Sequence, residues 1–196
     1  MAHGTPDWGV TSGAVTVHQL TDLGEAAVRL GSIVSFDRRG DVLFLEDFEG
    51  SLVRWVAGTS GVGAAVALST AEAQSGVQCV QLTGGSDAGR NASLTRGEPF
   101  PALVPLGLEA RIHLPGTIQD WRLSLQLYDG VNSTTFQIRW TDATNALAYM
   151  SSAGGAMVDF ATIDLTTADR HFHVVKFVLN AATGNYVRVL INDRGF

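Results

Sequence analysis

The sequence predicts an all-β protein built as two packed antiparallel sheets, and three observations predict it. From about Leu43 onward, short runs of alternating apolar and polar residues recur. Clusters of Gly, Asn, Asp and Ser separate these runs, and no helical periodicity lies between them. Strands that follow one another without intervening helices pair antiparallel and bury one face each, which makes a sandwich. A chain of 196 residues supplies one sizeable core rather than two full domains.

The first elements differ from the rest. Residues 1–20 read as an extended arm anchored by Trp8. Asp22 then caps a short helix, with Glu25 three residues on, Ala26, Ala27, Val28 and Leu30 following, and Gly31 ending it. In IVSFDRRGDVLFL, two β-like runs flank Asp37–Asp41, so a hairpin is expected over 32–46. Residues 1–42 therefore read as an appendage and 43–196 as the sandwich.

The stretch LFLEDFEGSLVRW, Leu43 to Trp55, is expected to be the first strand of the sandwich, seated by Phe44, Phe48 and Trp55 and loosened at Gly50. After it, VQCVQLT, LGLEARIHL, WRLSLQLYD, TTFQIRW, LAYM, HFHVVKFVL and NYVRVLIN read as strands. The clusters GGSDAG, PGTIQD, DGVNS, SSAGG and NAATGN read as the turns between them. Cys79 has no partner for an intrachain disulfide and alternates with apolar neighbours, so a buried strand position is expected.

Composition excludes several functions. A net charge of −6, with 16% charged residues and a single lysine at 176, leaves no basic stripe for nucleic acid or anionic lipid. No apolar run reaches membrane-spanning length, and MAHGTPDWG lacks the basic-then-apolar order of a signal peptide. Localisation is otherwise open, a virion included. A serine nucleophile elbow, a phosphate-binding loop and a dinucleotide-binding glycine pattern are all absent from the sequence.

Alternation divides three central strands into faces. Trp121, Leu123, Leu125 and Leu127 oppose Arg122, Ser124, Gln126 and Tyr128. Phe136, Ile138 and Trp140 oppose Thr135, Gln137 and Arg139, while Leu108, Ala110, Ile112 and Leu114 oppose Glu109, Arg111 and His113. The apolar sets are expected to form the inter-sheet core. If the three strands lie together, Glu109, Arg111, His113, Arg122, Gln126, Tyr128, Gln137 and Arg139 share one outer face. Guanidinium forks, amides, an imidazole and a phenol suit sugar hydroxyls or a carboxylate. The alternative is a solvated face whose charges pair across strands.

Two segments carry a family resemblance. The stretch from Asp47 to Gly85, with DFEGSLVRW and SGVQCVQL, resembles the opening of jelly-roll carbohydrate-binding modules. The stretch from Asp169 to Asp193 resembles the C-terminal hairpin of laminin-G and concanavalin A-like domains. Phe172-His173-Val174 stands there for the usual Trp-His-His-Val, and Asn192-Asp193-Arg194-Gly195 for the Asp-Gly turn. The resemblance implies a jelly-roll sandwich, ligand binding on a curved sheet, and a structural Ca²⁺ near Asp47, Glu49 and Asp193. No other cofactor is implied.

Family members that are glycoside hydrolases or polysaccharide lyases carry further patterns. The hydrolases place paired carboxylates about 5 Å apart, commonly as E-x-D-x-x-E; Glu46-Asp47-Phe48-Glu49 departs from that spacing, and Glu109 has no acidic partner in the central strands. Glu109-Ala110-Arg111 and Gln137-Ile138-Arg139 echo a lyase pattern but lack its His and Tyr. A non-enzymatic protein is therefore expected. One reading is a structural or assembly protein of a phage or virus particle, partnered by other subunits or copies of itself; the other is a glycan-binding module. The laminin-G pattern adds a return strand after the turn at Asn192, expected here to be missing or supplied by another segment.

Overall fold

The computed structural model describes residues 43–74, 76–85, 89–98, 104–116, 118–128, 130–151, 155–165, 171–192 and 194–196. The chain divides into two compact units, Met1–Leu45 and Glu46–Phe196. The arm, the helix expected at 22–31 and the hairpin up to residue 42 lie outside the described residues.

The second unit is all β. Its strands are β1 (Val56–Ser60), β2 (Ala65–Ser69), β3 (Cys79–Thr83), β4 (Asn91–Thr95), β5 (Pro105–His113), β6 (Asp120–Tyr128), β7 (Ser133–Thr141), β8 (Ala146–Met150), β9 (Met157–Thr162), β10 (Phe172–Asn180), β11 (Asn185–Ile191) and β12 (Arg194–Gly195). They form two four-stranded sheets, ordered β6-β7-β8-β9 and β12-β11-β10-β5, and two ribbons, β1-β4 and β2-β3. Every pairing is antiparallel.

The alternation read from the sequence sets the core. Along β6 and β7, Trp121 lies opposite Trp140, Leu123 opposite Ile138 and Leu125 opposite Phe136. In the other sheet Phe177 lies between Leu108 and Val189, and Val175 between Ala110 and Ile191. These two apolar faces meet in one cluster centred on Ile138, Trp140, Leu147, Val175, Phe177 and Ile191. The crossovers between sheets fill its ends: Leu114 follows β5, while Ile163 and Leu165 follow β9. Buried Trp140 donates its Nε1–H to the Ile163 carbonyl at 2.9 Å, so the largest core side chain leaves no unmatched donor.

Several expectations need correction. Leu43–Trp55 forms no strand: it turns at Phe48–Gly50 and passes through a 3-10 turn at Leu52–Arg54 before β1 begins. Phe48 and Trp55 stack on each other, with centroids 5.6 Å apart, and neither reaches the core cluster. Among the described residues, the buried apolar core lies wholly between Leu114 and Ile191. The ribbons of the first half stay at the surface because their alternating faces carry Ala, Gly, Ser and Thr, which bury little apolar area.

Strands β1, β2, β4 and β9 escape the sequence reading, the first three being weak in branched or aromatic residues. Cys79 opens β3 half-buried rather than fully buried, and burial followed by the nearby Glu72 charge raises its thiol pKa. A short return strand is present: Arg194–Gly195 pairs with Leu190–Ile191. No helix among the described residues is long and apolar enough to cross a membrane.

Candidate functional site

The eight residues expected on one polar face fall on two different sheets. β5 pairs with β10, not with β6 or β7, so Glu109, Arg111 and His113 are separated from the other five. Topology decides this, because alternation assigns a face to each strand without naming its neighbour.

On the β5–β10 side two of these three groups, Glu109 and His113, have local partners. Glu109 lies opposite Lys176, the only lysine of the chain. Their charged atoms are 3.4 Å apart, with side chains 6% and 10% exposed. A carboxylate and an ammonium this deep hold each other's charge, so Glu109 belongs to a buried ion pair rather than an open binding face. His113 stacks on Phe172 at 5.2 Å, and half-buried Arg111 lies beside Val174.

The β6–β7 side keeps Arg122, Gln126, Tyr128, Gln137 and Arg139 on one face. Arg122 bonds Asp120 at 2.9 Å, Gln137 donates to Ser124 Oγ at 2.7 Å, and the Tyr128 hydroxyl donates to the Gly130 carbonyl at 2.8 Å. Three of the five are thus engaged within the sheet or its turn. Asp159 of β9 extends the face through Ala148, beside Arg139. It went unread because β9 did.

The acids of the opening segment build a turn. Glu46 accepts the Phe48 N–H at 3.1 Å and the Trp55 indole N–H at 3.0 Å. Asp47 accepts the Glu49 N–H at 3.0 Å. Glu49 reaches across to the Val77 and Gln78 N–H groups at 2.8 and 3.2 Å. Phe48 adopts φ +59°, a left-handed conformation that a bulky residue holds only when its surroundings impose it. The imposing partner is Gln78, whose Nε2 donates to the Phe48 and Gly50 carbonyls at 2.8 and 3.1 Å. Gly76, at φ +73°, lies against the Glu49 carboxylate, which a Cβ there would displace.

A calcium ion takes six to eight oxygens, and the oxygens of this turn already carry hydrogen bonds of their own. Two carbonyls converge on Gln78 and the Asp47 and Glu49 carboxylates serve backbone donors, while Asp193 lies outside the described residues. Among the described residues no group of three or more His, Cys, Asp or Glu side chains gathers around a common point. His171 and His173 stack 4.7 Å apart. His173 is buried, with Nδ1 3.1 Å from the Asn192 amide nitrogen. Because Asn192 Oδ1 accepts the Val174 N–H, Nδ2 faces the ring and Nδ1 is the acceptor.

Two depressions lie among the described residues. A polar one of about 480 Å³ is lined by Thr70, Glu72, Gln74, Gly76 and Val77 together with the Phe172 ring. An apolar one of about 190 Å³ opens between the edges of the two sheets. Tyr149, Tyr186 and Val189 line it with the more exposed Phe160, Val187 and Phe196, and Arg188 is its one charged lining residue. Tyr186 crosses from β11 to the place where β7 and β8 diverge. Its oxygen accepts the Gln137 N–H at 2.8 Å and lies 3.2 Å from the Gln137 and Met150 carbonyls. Burial raises its pKa, and Tyr149 adds to the rise against the opposing effect of these hydrogen bonds. Compared with known protein families, curated proteins and solved structures, the chain matches none.

Proposed function

We propose that this chain is a non-enzymatic structural β-sandwich that acts by assembly with other protein subunits, as a phage or virus particle component such as a decoration or tail protein. The sandwich is read as the jelly-roll, concanavalin A-like arrangement. The observation that carries the assembly reading is the open seam between the sheets. Phe160, Val187 and Phe196 are 36, 58 and 41% exposed where an isolated domain gains by closing its core. Meanwhile the candidate ligand face is divided between sheets and largely engaged in its own hydrogen bonds.

Solution mass measured by light scattering tests the reading. A stable oligomer supports it, and a chain that stays monomeric up to about 0.5 mM, weaker than standard-sized interfaces hold, refutes it.

A glycan-binding module is the second reading, favoured by the polar depression with Phe172 as an aromatic wall beside Thr70, Glu72 and Gln74. A glycan array decides it. Reproducible binding abolished by Phe172→Ala locates the ligand in this depression, and binding abolished by Tyr128→Ala or Arg139→Ala locates it on the β6–β7 face. No binding removes the module reading. A structural calcium is not part of the proposal, since the Gln78 amide already fastens the turn.

A further inference from the structure

The geometry points to the seam between β9 and β11 as the face on which a second copy of this chain docks, a deepening that rests on the assembly reading. The edge strand β9 and the partly covered strand β11 each carry a bulge. In β9, Ala161 lies opposite Leu147 and Asp159 opposite Ala148, so Phe160 is the extra residue. In β11, Tyr186 lies opposite Leu179 and Arg188 opposite Val178, so Val187 is the extra residue. A bulge re-aims a side chain out of the pleat, and here two of them direct apolar side chains to the rim of one cleft. Phe160 stacks on Tyr149 at 6.0 Å and on Phe196 at 6.0 Å, which joins the two sheet edges into one aromatic surface.

The edges themselves are open. β9 ends its sheet, and β12 covers only the Leu190–Ile191 end of β11, extended by the mutual hydrogen bonds of Phe196 and Val189. β9, with the sequence MVDFAT, has neither a proline nor a lysine, and Asp159 is its one charged side chain.

The charges around the seam select the occupant. Asp159 stands exposed on the β9 lip and Arg194 exposed on the β12 lip. With Arg188 of β11 also lining the cleft, the β9 lip carries an anion and the β11–β12 lip cations, an arrangement that is self-complementary under a two-fold axis, sets Asp159 against the partner's Arg194 and repeats the contact by symmetry. A patch of single sign would repel its own copy, all the more in a chain of net charge −6. The central contact is apolar, Phe160 and Val187 meeting the same residues of the second copy, and the charged pairs set its orientation.

Sedimentation velocity across a concentration series, with circular dichroism as the check on folding, tests this face. The wild type is expected to sediment as a dimer or a multiple of it. Val187→Asp and Phe160→Asp place a charge at exposed positions that the core does not use, and each is expected to raise the dissociation constant at least about tenfold. Asp159→Arg and Arg194→Asp are each expected to weaken association, and the double variant to restore it. A wild-type oligomer untouched by all of these substitutions overturns the seam while leaving the assembly reading intact. A wild type that stays monomeric at every concentration overturns both.

Discussion

Tyr186 is the side chain whose role depends most on residues distant in sequence. Its hydroxyl meets the N–H and carbonyl of Gln137 where the β7–β8 ladder ends, so a phenol from one sheet completes the hydrogen bonding of the other. Tyr186→Phe keeps the ring contacts with Phe136 and Tyr149 and leaves the Gln137 N–H without its acceptor. The expected loss is about 1–3 kcal/mol in urea unfolding. The pH dependence follows from the raised pKa. The neutral phenol is favoured in the folded state, so its contribution is complete below the ordinary value near 10 and disappears as pH rises through the higher folded value. Unfolding free energy measured from pH 8 to 11 is expected to fall more steeply for the wild type than for Tyr186→Phe; equal slopes exclude this role. Glu109 and Lys176 belong at the same scale. Removing one charge from a pair this buried is expected to cost about 3–5 kcal/mol, whereas Glu109→Leu with Lys176→Met costs much less. A double-mutant cycle measures the difference, and additive single effects refute the coupling.

At the scale of elements, the turn at Glu46–Gly50 shows how an acidic cluster becomes structure. Three carboxylates accept five N–H groups, and one amide fastens two carbonyls. Gln78→Ala removes both carbonyl contacts and the constraint on Phe48, and it is expected to lower stability by about 1–3 kcal/mol. Chelation with EDTA is expected to leave the wild-type melting temperature unchanged. A fall of several degrees on chelation contradicts the cation-free reading. The acids were legible in sequence, but their purpose was not: Glu49 works through Val77 and Gln78, which no local spacing connects to it.

For the whole molecule, the buried core of the described residues lies in the second half of the chain. Phe177 is fully buried between Leu108 and Val189, so Phe177→Ala is expected to cost about 3–5 kcal/mol in denaturant titration. Val66→Ala in the peripheral β2-β3 ribbon is expected to cost less than about 1.5 kcal/mol, because Val66 is only half-buried and lies outside the core cluster. Comparable losses at both positions contradict a core confined to the later strands.

The sequence by itself determined the long strands of that half, though not β9 or β12, and the inward set of each of them. Trp121, Leu123, Phe136, Ile138 and Trp140 pack inward where alternation puts them, since a period of two is a local property of the pleated chain. Tertiary structure alone decided which strands are neighbours. β5 joins β10 across a long stretch of intervening chain, and this divides the polar face and buries Glu109 against Lys176. The same long-range choice leaves β9 and β11 at adjacent open edges, where two bulges make the seam. Pairing partner, register and bulge position are set by how two apolar faces pack together, and no short window of sequence contains that information.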